Sequence, residues 1–438
     1  MGSNSLRPGQ LATGLVALAA ATLTACGGPG PGLPVGRPAG GSVASGPRAE
    51  LSLQDAPLAT VREPARPTRH PRGVRHGNWA RLHTSSAETL PALKALIQSA
   101  ERSVWFETFN FGNDSMGRQL YPLLIAKARQ GVQVKVLADY VGSRFLQGHK
   151  AMVREMREAG VDVRLYAPRW IVKDDRRRGI NIDHRKVYLA DGQRALVGGV
   201  NLMAHFDTHT QDVLVEWRGP IVGDLTAEYA HDWQEAGGTL DGGLPPAPPA
   251  QPDGGVTAQV VVTSPGEARY EARDAIYAAI DGAQRRIDIS NQYLWDDRLI
   301  DKLHGAVRRG VRLRMVVPGE EDHGYARALH AEEMKRLIDA GAEGRLFTGT
   351  HPEAHLHTKY FGVDEAWVAI GSTNGDTRAL MDNQELDTVI TNESLAREFR
   401  ERMFARDWTA WSKPFVYKPG GPVTRPFRKL LEIVDYYL

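Results

Sequence analysis

The sequence predicts an α/β protein of two similar halves, each a mixed sheet flanked by helices, packed about a pseudo-twofold axis around one shared site. Three observations predict it. Helix-like and strand-like stretches alternate along most of the 438 residues. The same order of elements occurs twice. A short signature also recurs: "HRKVYLAD" (His184–Asp191) returns 173 positions later as "HTKYFGVD" (His357–Asp364), both HxKxxxxD, while the letters between drift.

The N-terminus stands apart from the repeat. Arg7 precedes an apolar run, Leu11–Ala25, too short to span a bilayer and shaped like a secretory signal. It ends in "LTAC", and Cys26 is the sole cysteine, which excludes a disulfide framework. The stretch resembles the lipobox of bacterial lipoproteins, which implies cleavage after residue 25 and lipidation of Cys26; an ordinary signal peptide beside a chance cysteine is the alternative. Residues 26–75, rich in Pro, Gly and Ala ("GGPGPGLPVGRPAGG"), cannot bury a core and read as a tether. The protein is then expected in the bacterial cell envelope, lipid-anchored through Cys26 at a periplasm-facing membrane surface.

The first half covers residues 76–241, a Pro/Gly linker 242–256, the second half 257–412, and a basic, aromatic tail 413–438. "VWFETFNF" (Val104–Phe111) and "IDISNQYL" (Ile287–Leu294) open the halves as strands. Gly117–Asp139 matches Asp297–Pro318: an amphipathic helix, a terminating Gly (Gly131, Gly310), then a β-branched strand. "REMREAGVDVRLY" and "KRLIDAGAEGRLF" repeat helix, Gly, strand. Before its motif the first half carries eight more residues than the second, including Trp170 and Arg176–Arg178. They form a candidate substrate or membrane lip, or a solvated charge run.

"RKVYLADGQRALVGG" reads as a hairpin turning at Asp191-Gly192. His184 and Lys186, two apart, share a face, whereas Asp191 lies five residues beyond Lys186, roughly 16 Å at about 3.3 Å per residue. Asp191 and Asp364 are therefore turn residues rather than catalysts. The returning strands end in "GGVN" and "GSTN", bringing Gly198 and Gly371 beside the lysines and Asn201 and Asn374 near the histidines. Gly198, Gly199, Gly371 and Ser372 are small enough to admit a ligand to the backbone. Asp212 and Glu385 each follow their motif His by 28 residues and open another strand. A carboxylate on one imidazole nitrogen fixes tautomer and orientation, so each half is expected to supply a His, its orienting acid, a Lys and an Asn.

Two half-sites facing each other make one site. One His attacks as nucleophile and the other protonates the leaving oxygen, while two Lys and two Asn donate to an anionic centre with several oxygens. That chemistry is phosphoryl transfer through a phosphohistidine. It calls for no cofactor and no metal.

The duplicated HxKxxxxD, with its downstream Asn and acid, resembles the phospholipase D superfamily from about Leu82 to Trp411. "HRKVYLADGQRALVGGVN", "DVLVEWRGPIVGDL" and "GSTNGDTRALMDNQEL" are most similar to bacterial cardiolipin synthases. The resemblance implies a phosphatidyltransferase making cardiolipin from phospholipids at a membrane surface, with His184 as nucleophile and His357 as general acid, then base. The residues alone are symmetric between the two. A hydrolytic phospholipase D is one alternative, and a nuclease or other phosphodiesterase is another. The near-neutral balance, 54 basic against 52 acidic residues, gives no field that would demand nucleic acid, and none is expected as partner. A zinc site among His205, Asp207, His209, His351 and His355 is a further reading by spacing, disfavoured because His357 belongs to the repeat.

Overall fold

The computed structural model describes residues 72–417, apart from 145–148, 168, 175–176, 320–323, 350 and 352–353. The signal segment, Cys26, the tether through residue 71, Arg176, the side chains of Trp170, Arg177 and Arg178, and the tail from 418 onward lie outside the described residues.

The parallel part of each half arises from strand–helix–strand units. In the first, β1 (Arg75–His83), α1 (Ser86–Ser99), β2 (Ser103–Thr108), α2 (Gly117–Arg129), β3 (Gln133–Asp139), α3 (His149–Glu158) and β4 (Asp162–Tyr166) follow one another. β2, β3 and β4 pair in parallel because α2 and α3 carry the chain back. Gly131, at φ 88°, ends α2 in the left-handed conformation that a Cβ would disfavour. The long loop before the first motif forms a hairpin, β5 (Arg169–Asp174) and β6 (Arg177–Asn181). Then β7 (Lys186–Ala190), β8 (Arg194–Gly198), the short β9 (Thr210–Gln211) and β10 (Leu214–Arg218) lead into α4 (Ile221–Glu235).

The second half repeats the scheme. It runs β11 (Val256–Ser264), β12 (Arg269–Tyr270), α5 (Glu271–Gly282), β13 (Arg286–Asn291), α6 (Asp297–Arg308), β14 (Arg312–Pro318), α7 (Gly324–Asp339) and β15 (Glu343–Phe347). The short β16 (His355–Leu356), β17 (Lys359–Val363), β18 (Trp367–Gly371), α8 (Thr377–Met381), β19 (Glu385–Thr391) and β20 (Ser412–Pro414) complete it.

The two mixed sheets meet edge to edge. The strand order is β20-β15-β14-β13-β17-β18-β19-β11-β1-β10-β8-β7-β2-β3-β4, one 16-stranded sheet in which β12 pairs with β11 off the main path. From β15 to β4 the order reads the same in either direction, so the pseudo-twofold passes between β11 and β1. One apolar cluster takes residues from both halves, among them Trp217, Leu225, Trp233, Ile390, Phe399 and Phe404. Each fully buried Leu, Ile or Phe contributes roughly 1.5–3 kcal/mol, so this shared layer fixes the halves against each other. Two further clusters fill the outer layers of each half.

Three boundaries differ from the sequence expectation. Arg72 and Arg75, placed in the tether, already bond Glu228 and Asp224 on α4. The linker does not hang free: the Gln251 amide donates to the Gly77 carbonyl at 2.8 Å. Lys413, expected in the tail, sits in β20 against Leu346 of β15, where it covers the sheet edge.

Candidate active site

Both signatures stand at the same place in their half. Lys186 opens β7 and Lys359 opens β17, in hairpins whose registers pair Val187 with Val197 and Tyr360 with Ile370. The same registers bring Gly198 and Gly371 opposite the lysines. At the far ends Asp191 and Asp364 adopt φ of 57° and 50°. Asp191 accepts the amides of Glu101, Arg102 and Ser103 at 2.7–2.9 Å, and Asp364 those of Gln284, Arg285 and Arg286 at 2.7–3.1 Å. Each carboxylate thus seals the loop ahead of the neighbouring strand. Burial pushes the Asp364 carboxyl up, but the three amides outweigh it and its pKa falls below the ordinary value.

The orienting acids are exchanged between the halves. Glu385 takes Nδ1 of His184, with its two oxygens at 3.0 and 3.1 Å, and Asp212 takes Nδ1 of His357 at 2.7 Å. The sequence expectation, in which each acid serves the His of its own half, is corrected here. The cause is strand pairing. The stretch just before each motif His runs parallel to the stretch just before the other half's acid. Asp183 bridges Gln384, and His184 N donates to Gln384 O at 2.9 Å. Symmetrically, β16 pairs with β9, and His357 N donates to Gln211 O at 2.9 Å. One site is the geometric consequence.

The small residues serve this packing rather than a ligand. A Cβ on Gly198 would lie 1.9 Å from the Val213 carbonyl, on Gly199 2.4 Å from the Asp212 carboxylate, and on Gly371 2.2 Å from the Leu386 carbonyl. Ser372 uses its Oγ to accept the Leu386 amide at 3.0 Å. Their smallness lets β10 and β19 close in and Asp212 turn across. The Oδ1 atoms of Asn201 and Asn374, both side chains buried, have no hydrogen-bond partner among the described residues.

Electrostatically the site is buried and crowded with charge. Lys186 Nζ donates to the His184 carbonyl at 2.5 Å and lies 5.4 Å from the Phe109 ring centre. Lys359 Nζ donates to the His357 carbonyl and to Gln292 Oε1 at 2.9 Å. Burial lowers Lys186 to about 8 and Lys359 to about 7. Burial, and after it the nearby lysines, holds both imidazoles well below their ordinary pKa. Burial also raises Asp212 and Glu385 to about 7 each. The arrangement suits neutral imidazoles with Nδ1–H on the acid. An arriving anion would favour charged lysines and an imidazolium.

Residues 93–233 and 276–408 match the family described as Cardiolipin synthase, PLD-like domain. Cardiolipin synthase A of Pseudomonas fluorescens (strain SBW25) is 33% identical over 350 residues, covering 76% of this chain and 68% of that protein. Cardiolipin synthase A of Pseudomonas entomophila (strain L48) is 31% identical over 343 residues with the same coverage.

The chain belongs to this family.

It is a phosphatidyltransferase of the phospholipase D superfamily. The fold is shared with the phosphatidylserine synthase of Haemophilus influenzae Rd KW20, at a TM-score of 0.59 and 14% identity, covering 84% of this chain and 95% of that one.

Around this family site stand residues that spacing did not reveal. Arg185, fully buried, bonds Asp232 on α4, donates to Gln384 Oε1 at 3.1 Å and reaches the Glu385 carbonyl at 3.3 Å. The second motif has Thr358 there, and the mismatch HRK against HTK was the available signal. Phe109 meets the His184 ring edge-on at 5.1 Å, and Phe206 meets His357 at 4.9 Å. Phe109 and Gln292 follow the ends of β2 and β13, where the sequence pattern continues the strands. The histidines raised as metal ligands take other contacts: His209 stacks on His351 at 4.1 Å, and His355 Nε2 lies 3.2 Å from Gln292 Nε2. Among the described residues, the one group of three or more ligand types close enough for a metal is His231, Asp232 and Glu235, away from that set.

Proposed function

We propose that the protein makes cardiolipin by moving a phosphatidyl group from one phospholipid to a hydroxyl of another through a phosphohistidine on His184. The observation that carries the proposal is the exchange of acids. It gives one site two imidazoles, each with Nδ1 tied to a carboxylate of the other half, beside two buried lysines. Nε2 of His184 attacks phosphorus, the bond to the headgroup oxygen breaks, and His357, protonated at Nε2 once the anionic phosphodiester has entered, gives that proton to the leaving glycerol. His357 then takes the proton from the hydroxyl of the second lipid as that oxygen attacks phosphorus. The P–N bond breaks and its electron pair returns to His184. Lys186, Lys359, Asn201 and Asn374 hold the phosphoryl oxygens, and Glu385 and Asp212 orient the imidazoles.

One feature favours lipid acceptors over water. The lipobox-like "LTAC" at residues 23–26 supports acylation of Cys26 and anchoring at the periplasm-facing surface, where phospholipid hydroxyls are concentrated. No helix among the described residues is long and apolar enough to cross a membrane. The test is mass spectrometry of products from phosphatidylglycerol vesicles, with phosphatidylethanolamine added in a parallel series. Cardiolipin as main product, with minor phosphatidic acid and activity kept in EDTA, is expected. Phosphatidic acid dominating at every acceptor level would make the protein a hydrolase.

A further inference from the structure

The lysine on the proton-moving side is linked to a histidine that the mechanism above does not use. Lys359 Nζ lies 3.0 Å from His357 Nδ1 and donates to Gln292 Oε1 at 2.9 Å. At the other end of that side-chain amide, Gln292 Nε2 stands 3.2 Å from Nε2 of His355. Backbone bonds set both ends. The main-chain N–H of Gln292 donates to the Thr358 carbonyl at 3.1 Å, and that of His355, in β16 opposite Thr210, donates to the His209 carbonyl at 3.3 Å. Lys359 and Gln292 are buried, whereas His355 is half-buried, so protons reach this chain of groups from the His355 end. The first half has apolar residues instead: Phe109 stands at the place of Gln292, and Ile182 at that of His355.

Donor and acceptor rules fix the protons along it. A charged lysine only donates, so it takes the amide oxygen. The Gln292 NH2 group then points at His355 Nε2, which must accept and so carries no proton. A protonated His355 would face that NH2 group donor to donor. Turning the amide gives its oxygen to the imidazolium, but the NH2 group then points at Lys359, where only an uncharged amine can accept it. Charge on His355 and charge on Lys359 therefore oppose each other through Gln292, beyond their direct repulsion. Other titratable groups bear on His355: His357, its ring centre 6.4 Å away, Asp212 on Nδ1 of His357, and the stacked His209 and His351 just ahead of β9 and β16. Asp212 favours the charged form of His355, and a charged His357 opposes it.

We infer that His355 is a positioning residue for the reaction: neutral, it locks the Gln292 oxygen onto Lys359, and its protonation in acid releases that lock and weakens the grip on the phosphoryl group. The inference rests on the role given to Lys359 above and is independent of which acceptor is used. It places one titrating group within reach of solvent on the His357 half alone.

The experiment reads the slope of the acid limb of kcat/KM, which does not depend on the fraction of protein folded. Consumption of phosphatidylglycerol in vesicles counts transfer and hydrolysis alike, so a hydrolase outcome would unseat the cardiolipin reading and leave this test intact. His355→Gln keeps an acceptor for Gln292 but cannot titrate. Gln292→Met cuts the link while leaving His355 in place. Each should make the limb shallower by one proton, so that activity relative to wild type rises about tenfold for each pH unit down the limb, whatever the rate on the plateau. The double variant should be no shallower than either single one. A limb of wild-type steepness in His355→Gln overturns the inference. A shallower limb there with wild-type steepness in Gln292→Met overturns it too, because His355 would then act by its charge alone.

Discussion

The two half-sites share a scaffold and differ in what surrounds each imidazole. His184 has a Glu on Nδ1, Phe109 at its edge, and Arg185 donating to the carbonyl of that Glu. His357 has an Asp on Nδ1, Phe206 at its edge, Thr358 in place of Arg185, and Gln292 bridging towards Lys359. Duplication explains the likeness, and the exchange of acids makes each half useless alone. The differences all fall on residues that hold or flank the histidines. A repeated frame with unequal surroundings is what a reaction needs when one imidazole attacks and the other moves protons.

That comparison can be broken at several depths. The largest effect is expected at the histidines. His184→Ala and His357→Ala should each lower transfer by more than about 10⁴-fold. Only His184→Ala should also abolish labelling by a radiolabelled phosphatidyl donor, and labelling that disappears in His357→Ala instead would reverse the roles.

Next comes the buried arginine. Arg185→Met leaves Asp232 unpaired and should cost about 3–5 kcal/mol in denaturant unfolding, with Arg185→Met/Asp232→Leu recovering much of it. Thr358, at the matching position, donates one hydrogen bond to the Gln211 carbonyl, and Thr358→Val should cost only about 1 kcal/mol. Equal costs at the two positions would erase the asymmetry.

The turn aspartates sharpen the comparison from the other side, because there the halves are alike. Asp191→Asn and Asp364→Asn should each destabilise by about 1–2 kcal/mol while the folded fraction keeps its specific activity. Lost turnover in a fully stable Asp191→Asn protein would mean that the motif Asp acts in chemistry.

The smallest expected effect is the pH profile. Asp212 and Glu385 must be ionised to accept Nδ1–H, so activity rises as pH climbs through about 7. The lysines must be charged, so activity falls as pH passes about 7 for Lys359 and about 8 for Lys186. A bell peaking between about 7 and 8 in kcat/KM is expected. Lys359→Arg should move its alkaline limb further than Lys186→Arg does.

Much of this was legible in the sequence, and what was missed has one cause. Alternating helix and strand patterns, the terminating glycines 131 and 310, and the two hairpins follow from local chemistry, and spacing alone separated Asp191 from His184. Spacing could not choose partners across the pseudo-twofold. Each acid follows its motif His by 28 residues in both halves, so within-half and exchanged pairing look identical on paper. The true pairs lie 201 and 145 residues apart, joined by parallel bridges that no local pattern encodes. The edge-to-edge union through β1 and β11 escaped for the same reason. Arg185 was visible only as a mismatch between the repeats, at a position the shared motif leaves free.

The central claim is that Glu385 serves the attacking His184 while Asp212 serves the proton-moving His357. A donor lipid carrying p-nitrophenol as headgroup tests it directly, since that leaving group departs without a proton. In stopped flow, Asp212→Asn should keep a rapid burst of p-nitrophenol followed by slow turnover, because attack is intact and only deprotonation of the acceptor suffers. Glu385→Gln should slow the burst itself by about 10³-fold, in line with removing the acid from a His–acid pair. A burst kept in Glu385→Gln and lost in Asp212→Asn would contradict the account.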